Sequence, residues 1–513
     1  MSARTLMFQG TGSDVGKSLV VAGLCRLFAR QGLHVVPFKA QNMSNNAAVT
    51  PDGGEIGRAQ WLQALASGIV PSVHMNPVLL KPQSDRSSQV IVRGKVAATM
   101  SAKDYQAYRP TLMPTVLESY HYLAKNADMV LVEGAGSPAE INLRHGDIAN
   151  MGFARAVGCP VILIGDIDRG GVIASLAGTH MVLPPEDRAM IRGFLINKFR
   201  GDAGLFADGA GEIERYTGWP YLGLIPYNHA LSQLPQEDSL ALNNSLPPCG
   251  GGLGRGGTIN VLTRGEFPTT PPFPTRGEGE ESIHIAILSY PHIANFDDLD
   301  PLKNEPGVRL SWCRAGDVLP ADASLVILPG SKSTIADLAF IRAQGWDIDL
   351  QAHRRRGGRI LGICGGFQML GKTLSDPDGV EDAVATVEGL GLLDIDTVFT
   401  SDKTVTPWQG KYSDIEVTGY EIHCGISKGE ALARPFFTSE GARSNDDLVW
   451  GTYIHGLFAT DNFRRSLLAR LGAKPSSYAY GQHMQQILDG WADMLEDAVS
   501  IKQLMSLAMP VPA

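Results

Sequence analysis

The stretch that decides the fold is QGTGSDVGKS at residues 9–18, which follows the apolar run TLMF and precedes the helix-like run LVVAGLCRLFARQG. A strand, a glycine-rich loop and a helix in this order predict a phosphate-binding loop, because glycines let backbone N–H groups face phosphate oxygens. In such a loop Lys17 reaches the terminal phosphates of a nucleotide, and the Ser18 hydroxyl can ligate Mg²⁺. The N-terminal part of the chain is therefore expected to bind a nucleotide.

The spacing of the glycines points to one branch of the phosphate-loop proteins. Gly12 and Gly16 lie in the loop, but Thr11 stands where the usual motif has its first glycine. The loop resembles the GTDTDVGKT loop of the dethiobiotin synthetase family, whose members activate carboxylates with ATP. The resemblance implies ATP and Mg²⁺ as cofactors of this part of the chain.

Three further residues follow candidate strands at positions that carry nucleotide contacts in that family. Glu133 in LVEGAG ends a buried strand much as the family's second Mg²⁺ ligand does. Lys39 in PFKAQN follows the second strand, where relatives have a phosphate-contacting lysine, and Asn197 in FLINKFRG corresponds to a nucleotide-base contact. By resemblance, Ser18 and Glu133 are expected to bind the metal, and Lys39 and Asn197 to bind ATP.

A second site is predicted by RILGICGGFQMLG at residues 359–371. An apolar strand, a G-x-C-x-G turn and a helix start form a nucleophile elbow, in which the glycines relieve crowding and the helix N-terminus favours a thiolate. Cys364 is therefore the candidate nucleophile. His455 in WGTYIHGLF is its candidate partner, because an apolar strand ends at the histidine and a glycine follows it.

A third loop completes this candidate site. The strand LVIL is followed by Pro329 and Gly330, whose loop can supply backbone N–H groups to an oxyanion hole. With Cys364 and His455 it resembles the class I glutamine amidotransferase domain, which implies thiolate attack on glutamine and release of ammonia. Most of that class has a Glu two residues after the histidine, where this chain has Leu457. Either the Cys-His pair suffices, or an orienting acid comes from elsewhere.

The chain divides at a Gly- and Pro-rich segment, because nine Gly and six Pro lie among the 37 residues Ser245–Glu281. Short apolar runs alternate with helix-like segments on both sides, which predicts two α/β units with parallel sheets. The expected organisation is an ATP-binding amidoligase domain at 1–242, a linker at 243–282, a glutamine amidotransferase domain at 283–476 and a helical tail at 477–513.

Composition excludes several classes of protein. Of the 513 residues, 44% are hydrophobic and 19% charged, as in ordinary globular proteins, and the net charge of −9 opposes binding to nucleic acid or anionic membranes. No run is apolar and long enough for a transmembrane helix, and the N-terminus lacks the apolar core of a signal peptide, so the cytoplasm is expected. The expected partners are small molecules, and the oligomeric state is left open.

Over its whole length apart from the linker, the chain resembles the cobyric acid synthase family. The resemblance is carried by the motifs above and by FKAQNMSNN, EIGRAQ, NPVLLKP, GDIDRGG, NFDDLDPL and GYEIH. It implies amidation of the four peripheral carboxylates (b, d, e, g) of adenosylcobyrinic acid a,c-diamide. The corrinoid would be activated by ATP as an acyl phosphate and amidated by ammonia from glutamine, giving adenosylcobyric acid.

Two alternative functions stay open. Cobyrinic acid a,c-diamide synthase shares both chemistries, but its motif reads KVGPDYID-like where this chain has KAQNMSNN. A regulatory ATPase of the same deviant-loop superfamily would have no amide chemistry, and the elbow at Cys364 argues against it.

A basic segment is the candidate site for a substrate that carries several carboxylates. NPVLLKPQSDRSSQVIVRGK contributes Lys81, Arg86, Arg93 and Lys95, with Asp85 as its only acid. Because arginine forks suit carboxylates, we predict that these cations form a rim over the Lys17 site, with a solvated charged loop as the alternative.

Overall fold

The computed structural model describes residues 2–83, 87–237, 282–381 and 385–512. The strands of the N-terminal half are β1 (Arg4–Gly10), β2 (Val35–Phe38), β3 (Gln41–Met43), β4 (Ala47–Val49), β5 (Glu55–Gly57), β6 (Val78–Pro82), β7 (Ser87–Val92), β8 (Lys95–Ser101), β9 (Met129–Glu133), β10 (Val161–Asp166), β11 (Ile191–Phe199) and β12 (Tyr221–Pro226). Its helices are α1 (Lys17–Arg30), α2 (Arg58–Ser67), α3 (Ala102–Tyr108), α4 (Met113–Ala124), α5 (Met151–Ala156), α6 (Val172–Val182), α7 (Pro185–Arg188) and α8 (Ala207–Thr217).

The main sheet of this half has the strand order β12-β11-β10-β1-β9-β2, and these six strands are parallel. Strands β9 and β10 are buried along nearly their whole length, as expected for apolar runs covered by helices on both faces. Because β1 lies between them, the phosphate loop that follows β1 emerges at the centre of the carboxyl edge of the sheet, where open α/β sheets bind ligands.

A smaller sheet joins the N-terminal half to the other half. Its strand order is β3-β6-β7-β8, and β4 pairs with β5 beside it. Ala47, Leu79 and Ile91 from this region pack with Ile422 of the C-terminal half in one buried apolar cluster. The two halves are thus in direct contact.

The C-terminal half holds a second α/β unit. Its strands are β13 (Ile283–Leu288), β14 (Ile293–Ala294), β15 (Val308–Cys313), β16 (Leu325–Leu328), β17 (Gly330–Ser331), β18 (Arg359–Ile363), β19 (Thr373–Asp376), β20 (Ala385–Glu388), β21 (Asp396–Tyr412), β22 (Ile415–Lys428), β23 (Ala442–Arg443), β24 (Val449–Thr452), β25 (Ile454–His455) and β26 (Met509–Pro510). The helices are α9 (Asp300–Lys303), α10 (Thr334–Ala343), α11 (Trp346–Arg355), α12 (Gly365–Met369), α13 (Asp461–Arg470), α14 (Tyr480–Ala498) and α15 (Ile501–Leu507).

Its central sheet has the order β15-β13-β16-β18-β24-β23, parallel except for β23. A second sheet, β20-β19-β21-β22-β25, contains the long β21–β22 hairpin. The mixed α/β class expected for both halves is confirmed. Residues 243–281 of the expected linker lie outside the described residues.

The helical tail returns to the N-terminal half. Strand β26 pairs antiparallel with β1, and α14 packs along α1. Arg26 of α1 forms an ion pair with Asp489 at 2.8 Å, and the Trp491 indole N–H donates to the backbone oxygen of Leu19 at 2.7 Å. The tail therefore completes the N-terminal α/β unit, although it follows the C-terminal unit in the sequence. No helix among the described residues is long and apolar enough to cross a membrane.

Candidate active sites

The phosphate loop connects the end of β1 to the start of α1. Gly16 has a φ of +93°, and a Cβ at this position would lie 2.3 Å from Asn197 Nδ2, so glycine is required both by the backbone and by the space. The Asn197 amide donates to the backbone oxygen of Val15 at 2.8 Å. The structure thus brings Asn197 against the loop that contains Lys17.

The Lys17 ammonium lies inside this loop. Its Nζ donates to the backbone oxygens of Gly12 at 3.0 Å and of Gly136 at 3.1 Å. Burial, followed by repulsion from Lys39, lowers the pKa of Lys17. A bound polyphosphate would supply the negative charge that this buried ammonium needs.

Ser18, Glu133 and Lys39 form one cluster beside Lys17. The Ser18 hydroxyl is 2.7 Å from Glu133 Oε1, and Lys39 Nζ donates to the same oxygen at 2.9 Å. The other oxygen of the fully buried Glu133 accepts from Gln63 at 2.6 Å and from Gln60 at 3.3 Å. The two glutamines of α2 therefore fix the orientation of the carboxylate.

Sequence reasoning missed Glu237 in this cluster. Its carboxylate lies 2.7 Å from Lys39 Nζ and 2.9 Å from the Ser18 hydroxyl. Burial alone would lower the pKa of Lys39, but the two carboxylates outweigh it and raise that pKa. Glu237 follows no strand and belongs to no recognised motif, so the sequence offered no signal for it.

The residues at this cluster fit a magnesium ion. Mg²⁺ prefers oxygen ligands and is usually held by one or two carboxylates together with phosphate oxygens. Ser18 and Glu133 supply such oxygens at the end of the phosphate loop, and Glu237 adds a third oxygen donor.

Cys364 lies at the elbow between β18 and α12 in the C-terminal half. Its φ of +52° and ψ of −110° are strained for a non-glycine residue, as expected for a nucleophile forced out of a sharp turn. A Cβ on Gly366 would lie 2.0 Å from the backbone oxygen of Leu328, so the turn packs directly against the end of β16.

His455 is held beside Cys364 by an acid. His455 Nδ1 is 2.6 Å from Asp298 Oδ2, and the second Asp298 oxygen accepts from the backbone N–H of Gly456 at 2.7 Å. Burial lowers the pKa of His455, but Asp298 and Cys364 together raise it to about 10. An imidazolium opposite a thiolate is the arrangement of an activated cysteine nucleophile.

Asp298 is an orienting acid for His455 that comes from another part of the chain, since Leu457 stands where most of the class has a Glu. The acid comes from the NFDDLDPL segment of residues 295–302, a motif to whose carboxylates the sequence alone assigns no role. It lies 157 positions before the histidine in the chain. Only the packing of the segment against β25 brings the two residues together.

We expect Asp298→Asn to lower glutamine-dependent turnover by roughly 100-fold or more, since loss of the orienting acid costs up to about 10⁴-fold in Ser-His-Asp enzymes. The asparagine keeps the shape but cannot stabilise an imidazolium. Glutamate release and ammonia-dependent amidation should be measured side by side. Unimpaired glutamate release would show that the Cys-His pair suffices.

Gly330 lies in β17 at the same cavity as Cys364 and His455. A Cβ on Gly330 would be 3.1 Å from His455 Cε1 and 2.8 Å from the backbone oxygen of Ala294. The loop therefore approaches the reacting groups closely, which is the position that an oxyanion hole requires. The role of Gly330 as its donor stays a prediction.

Two residues of the predicted basic rim, Lys81 and Arg93, have other partners in the structure than the prediction gave them. Lys81 is 3% exposed, pairs with Glu55 and lines the cavity that contains Cys364. Arg93 forms an ion pair with Glu118 of α4. Strand β6 turns Lys81 inward, and charge counts along the sequence do not reveal this direction. Arg86 lies outside the described residues.

Comparison with known proteins agrees with this two-site architecture. Residues 6–241 match the model of the CobQ/CobB/MinD/ParA nucleotide binding domain, and residues 284–463 match the CobB/CobQ-like glutamine amidotransferase domain. Among solved structures, a structure of PurLQS from Thermotoga maritima matches 41% of this chain and 99% of its own at 16% identity, with a TM-score of 0.28.

Curated relatives match over the whole chain. The cobyric acid synthase of Methylorubrum populi is 53% identical over 99% of this chain and 100% of its own length. The cobyric acid synthase of Cereibacter sphaeroides is 55% identical over 98% of this chain and 99% of its own length. That of Methylobacterium nodulans is 55% identical over 99% of this chain and 100% of its own length. With its phosphate loop, its cysteine elbow and these full-length matches, the chain belongs to the cobyric acid synthase family of glutamine-dependent amide-forming ligases.

Proposed function

We propose that this chain converts the four peripheral carboxylates (b, d, e, g) of adenosylcobyrinic acid a,c-diamide into primary amides, giving adenosylcobyric acid, with ATP and glutamine consumed for each amide. The observation that carries the proposal is the presence of a Cys364–His455–Asp298 triad and a Lys17 phosphate loop in one chain of this family. A carboxylate needs activation before ammonia can displace its oxygen, and the two sites supply these two requirements.

The glutamine half-reaction follows from the triad. The Cys364 thiolate attacks the amide carbon of glutamine, and His455 gives its proton to the departing nitrogen, so that ammonia leaves and a thioester forms. Water then attacks the thioester carbon, and the imidazole takes a proton from the attacking water as the thiolate leaves. Glutamate is released and the cysteine is regenerated.

The ATP half-reaction belongs to the phosphate loop. A corrinoid carboxylate oxygen attacks the γ-phosphorus of ATP, ADP leaves and an acyl phosphate forms. Ammonia then attacks the acyl carbon, phosphate leaves and the primary amide remains. In this proposal Lys17 and Lys39 neutralise the charge of the transferring group, and Asn197 contributes to binding the nucleotide base.

Magnesium would be held by Ser18 and Glu133 and would neutralise charge on the phosphate oxygens. We expect the adenine to bind near the cavity between the ends of β11 and β12, where the Arg200 guanidinium stacks at 3.4 Å from the Tyr227 ring centre. We further propose that the protein acts in the cytoplasm on small molecules and has no nucleic-acid or membrane partner.

Mass spectrometry of adenosylcobyrinic acid a,c-diamide incubated with the protein, ATP and glutamine tests this function. We expect four successive equal mass decrements, each from exchange of a hydroxyl for an amino group. Cobyrinic acid serves as the comparison substrate. Two decrements on cobyrinic acid and none on the diamide would instead identify an a,c-diamide synthase, and no decrement on either would leave a regulatory ATPase.

A further inference from the structure

We propose that the N-terminal half completes the glutamine site of the C-terminal half. Lys81 takes part in binding the α-carboxylate of glutamine, and Arg58 positions His455 through Asp297 and Tyr420. The proposal rests on the proposed function in one respect, namely that glutamine is hydrolysed at Cys364.

The cavity in front of Cys364 is lined by both halves of the chain. Lys81 and Gln83 come from β6 and the residue after it, whereas Lys332 and Lys403 come from the C-terminal half. A glutamine whose amide carbon reaches Cys364 therefore places its other end among side chains of both halves.

Positive charge dominates one side of this cavity. The fully buried Glu55 pairs with Lys81 at 3.2 Å and also with Lys403. Lys332 faces the same group, with the side-chain oxygen of Gln89 at 3.4 Å from its Nζ. Burial, and then repulsion by Lys403 and Lys81, lowers the pKa of Lys332 to about 8. The single Glu55 carboxylate faces the side chains of Lys81, Lys332 and Lys403. The carboxylate of a ligand would supply further negative charge and so favour the protonated forms of these lysines.

An acid lines the same cavity. The Glu381 carboxylate accepts from the backbone N–H groups of Thr334 at 2.8 Å and Ile335 at 2.9 Å. An α-amino acid carries one positive and one negative group on the same carbon. Lysines and Glu381 in one cavity therefore match the α-carboxylate and the α-ammonium of glutamine.

Arg58, the first residue of α2, contacts the residue next to Asp298 in the chain. Its guanidinium is 2.5 Å from Asp297, the neighbour of Asp298, and both side chains of this ion pair are about 6% exposed. Removing one partner of a buried ion pair leaves an uncompensated charge. Without Arg58 that charge would be on Asp297, directly beside the acid that orients His455.

Arg58 also holds the ring that packs on His455. It donates to the Tyr420 hydroxyl at 2.8 Å, and Asn295 donates to the same oxygen at 2.8 Å. The Tyr420 ring is stacked on the His455 ring with a centroid distance of 5.4 Å and an angle of 19°. Arg58 thus contacts both the segment that carries the acid and the aromatic wall of the imidazole.

Steady-state kinetics with Lys81→Met and Arg58→Met separate the two roles. Losing a hydrogen bond to a charged group costs about tenfold or more. We expect Lys81→Met to raise the KM for glutamine by that factor with little change in kcat. Arg58→Met should lower the glutamine-dependent kcat by a similar factor with little change in KM. Both variants should retain most ammonia-dependent amidation, because neither residue contacts the phosphate loop.

Conservative and distant variants control this experiment. Lys81→Arg and Arg58→Lys should recover part of the respective losses, whereas Arg215→Met, which breaks an exposed ion pair with Glu212 in the same half, should change neither constant. An unchanged glutamine KM in Lys81→Met overturns the carboxylate site. Equal losses with glutamine and ammonia in Arg58→Met overturn the positioning role. Failure of the proposed function would instead appear in the unsubstituted protein, as an absence of glutamate release.

Discussion

Cys364→Ser is expected to abolish glutamine-dependent amidation and to leave ammonia-dependent amidation largely intact. The serine hydroxyl is a far weaker nucleophile at neutral pH than a thiolate paired with an imidazolium, so neither the thioester nor ammonia forms. The ATP site is built from other residues and keeps its activity when ammonia is added. Amide formation with each nitrogen source and glutamate release should be measured together.

Cys313→Ser is the matched control for this variant. Cys313 is also buried, on β15 in the same half, and it takes no part in the triad. This control should retain glutamine-dependent turnover. If Cys364→Ser still released glutamate at the normal rate, another residue would have to be the nucleophile.

Lys17→Ala is expected to remove amidation with either nitrogen source. In the proposed mechanism Lys17 stabilises charge on the transferring phosphoryl group, and both glutamine-derived and added ammonia need the activated carboxylate. Losing one such contact costs about 3 kcal/mol or more, which corresponds to roughly a hundredfold or more in rate. ATP-dependent ADP formation in the presence of the corrinoid should fall by the same factor as amide formation.

Glutamate release by the same variant shows whether the rest of the protein is intact. The triad should still hydrolyse glutamine in Lys17→Ala, because the Lys17 ammonium donates its hydrogen bonds to the backbone oxygens of Gly12 and Gly136, which lie in the other half of the chain. Near-normal turnover with ammonia would refute the position assigned to the ATP site.

Features that depend on neighbouring residues could be predicted without the structure. The phosphate loop and the cysteine elbow are each a strand, a tight turn and a helix start within about 20 residues, so their geometry is encoded locally. The structure has α1 beginning at Lys17 and Cys364 at the turn between β18 and α12, as these motifs require. The expected reaction also followed from the sequence, through the resemblance of these motifs to known families.

Charge runs were less informative than local motifs. Lys81 and Arg93 are close in sequence, yet Lys81 points into a cavity between the halves while Arg93 pairs with an acid on α4. Alternate residues of a strand face opposite sides, and only the packing of the strand decides which side is buried.

The sequence by itself predicted the two chemistries proposed for this protein and the residues expected at the centre of each, Lys17 and Cys364. Tertiary structure alone decided the partners that complete them: Asp298 for His455, Glu237 for Lys39, and the return of the C-terminal tail to β1. The physical reason is that ion pairs and strand pairing between distant segments depend on how whole layers pack. The sequence shows only that such residues can form hydrogen bonds or ion pairs, and many other side chains of this protein can do so as well.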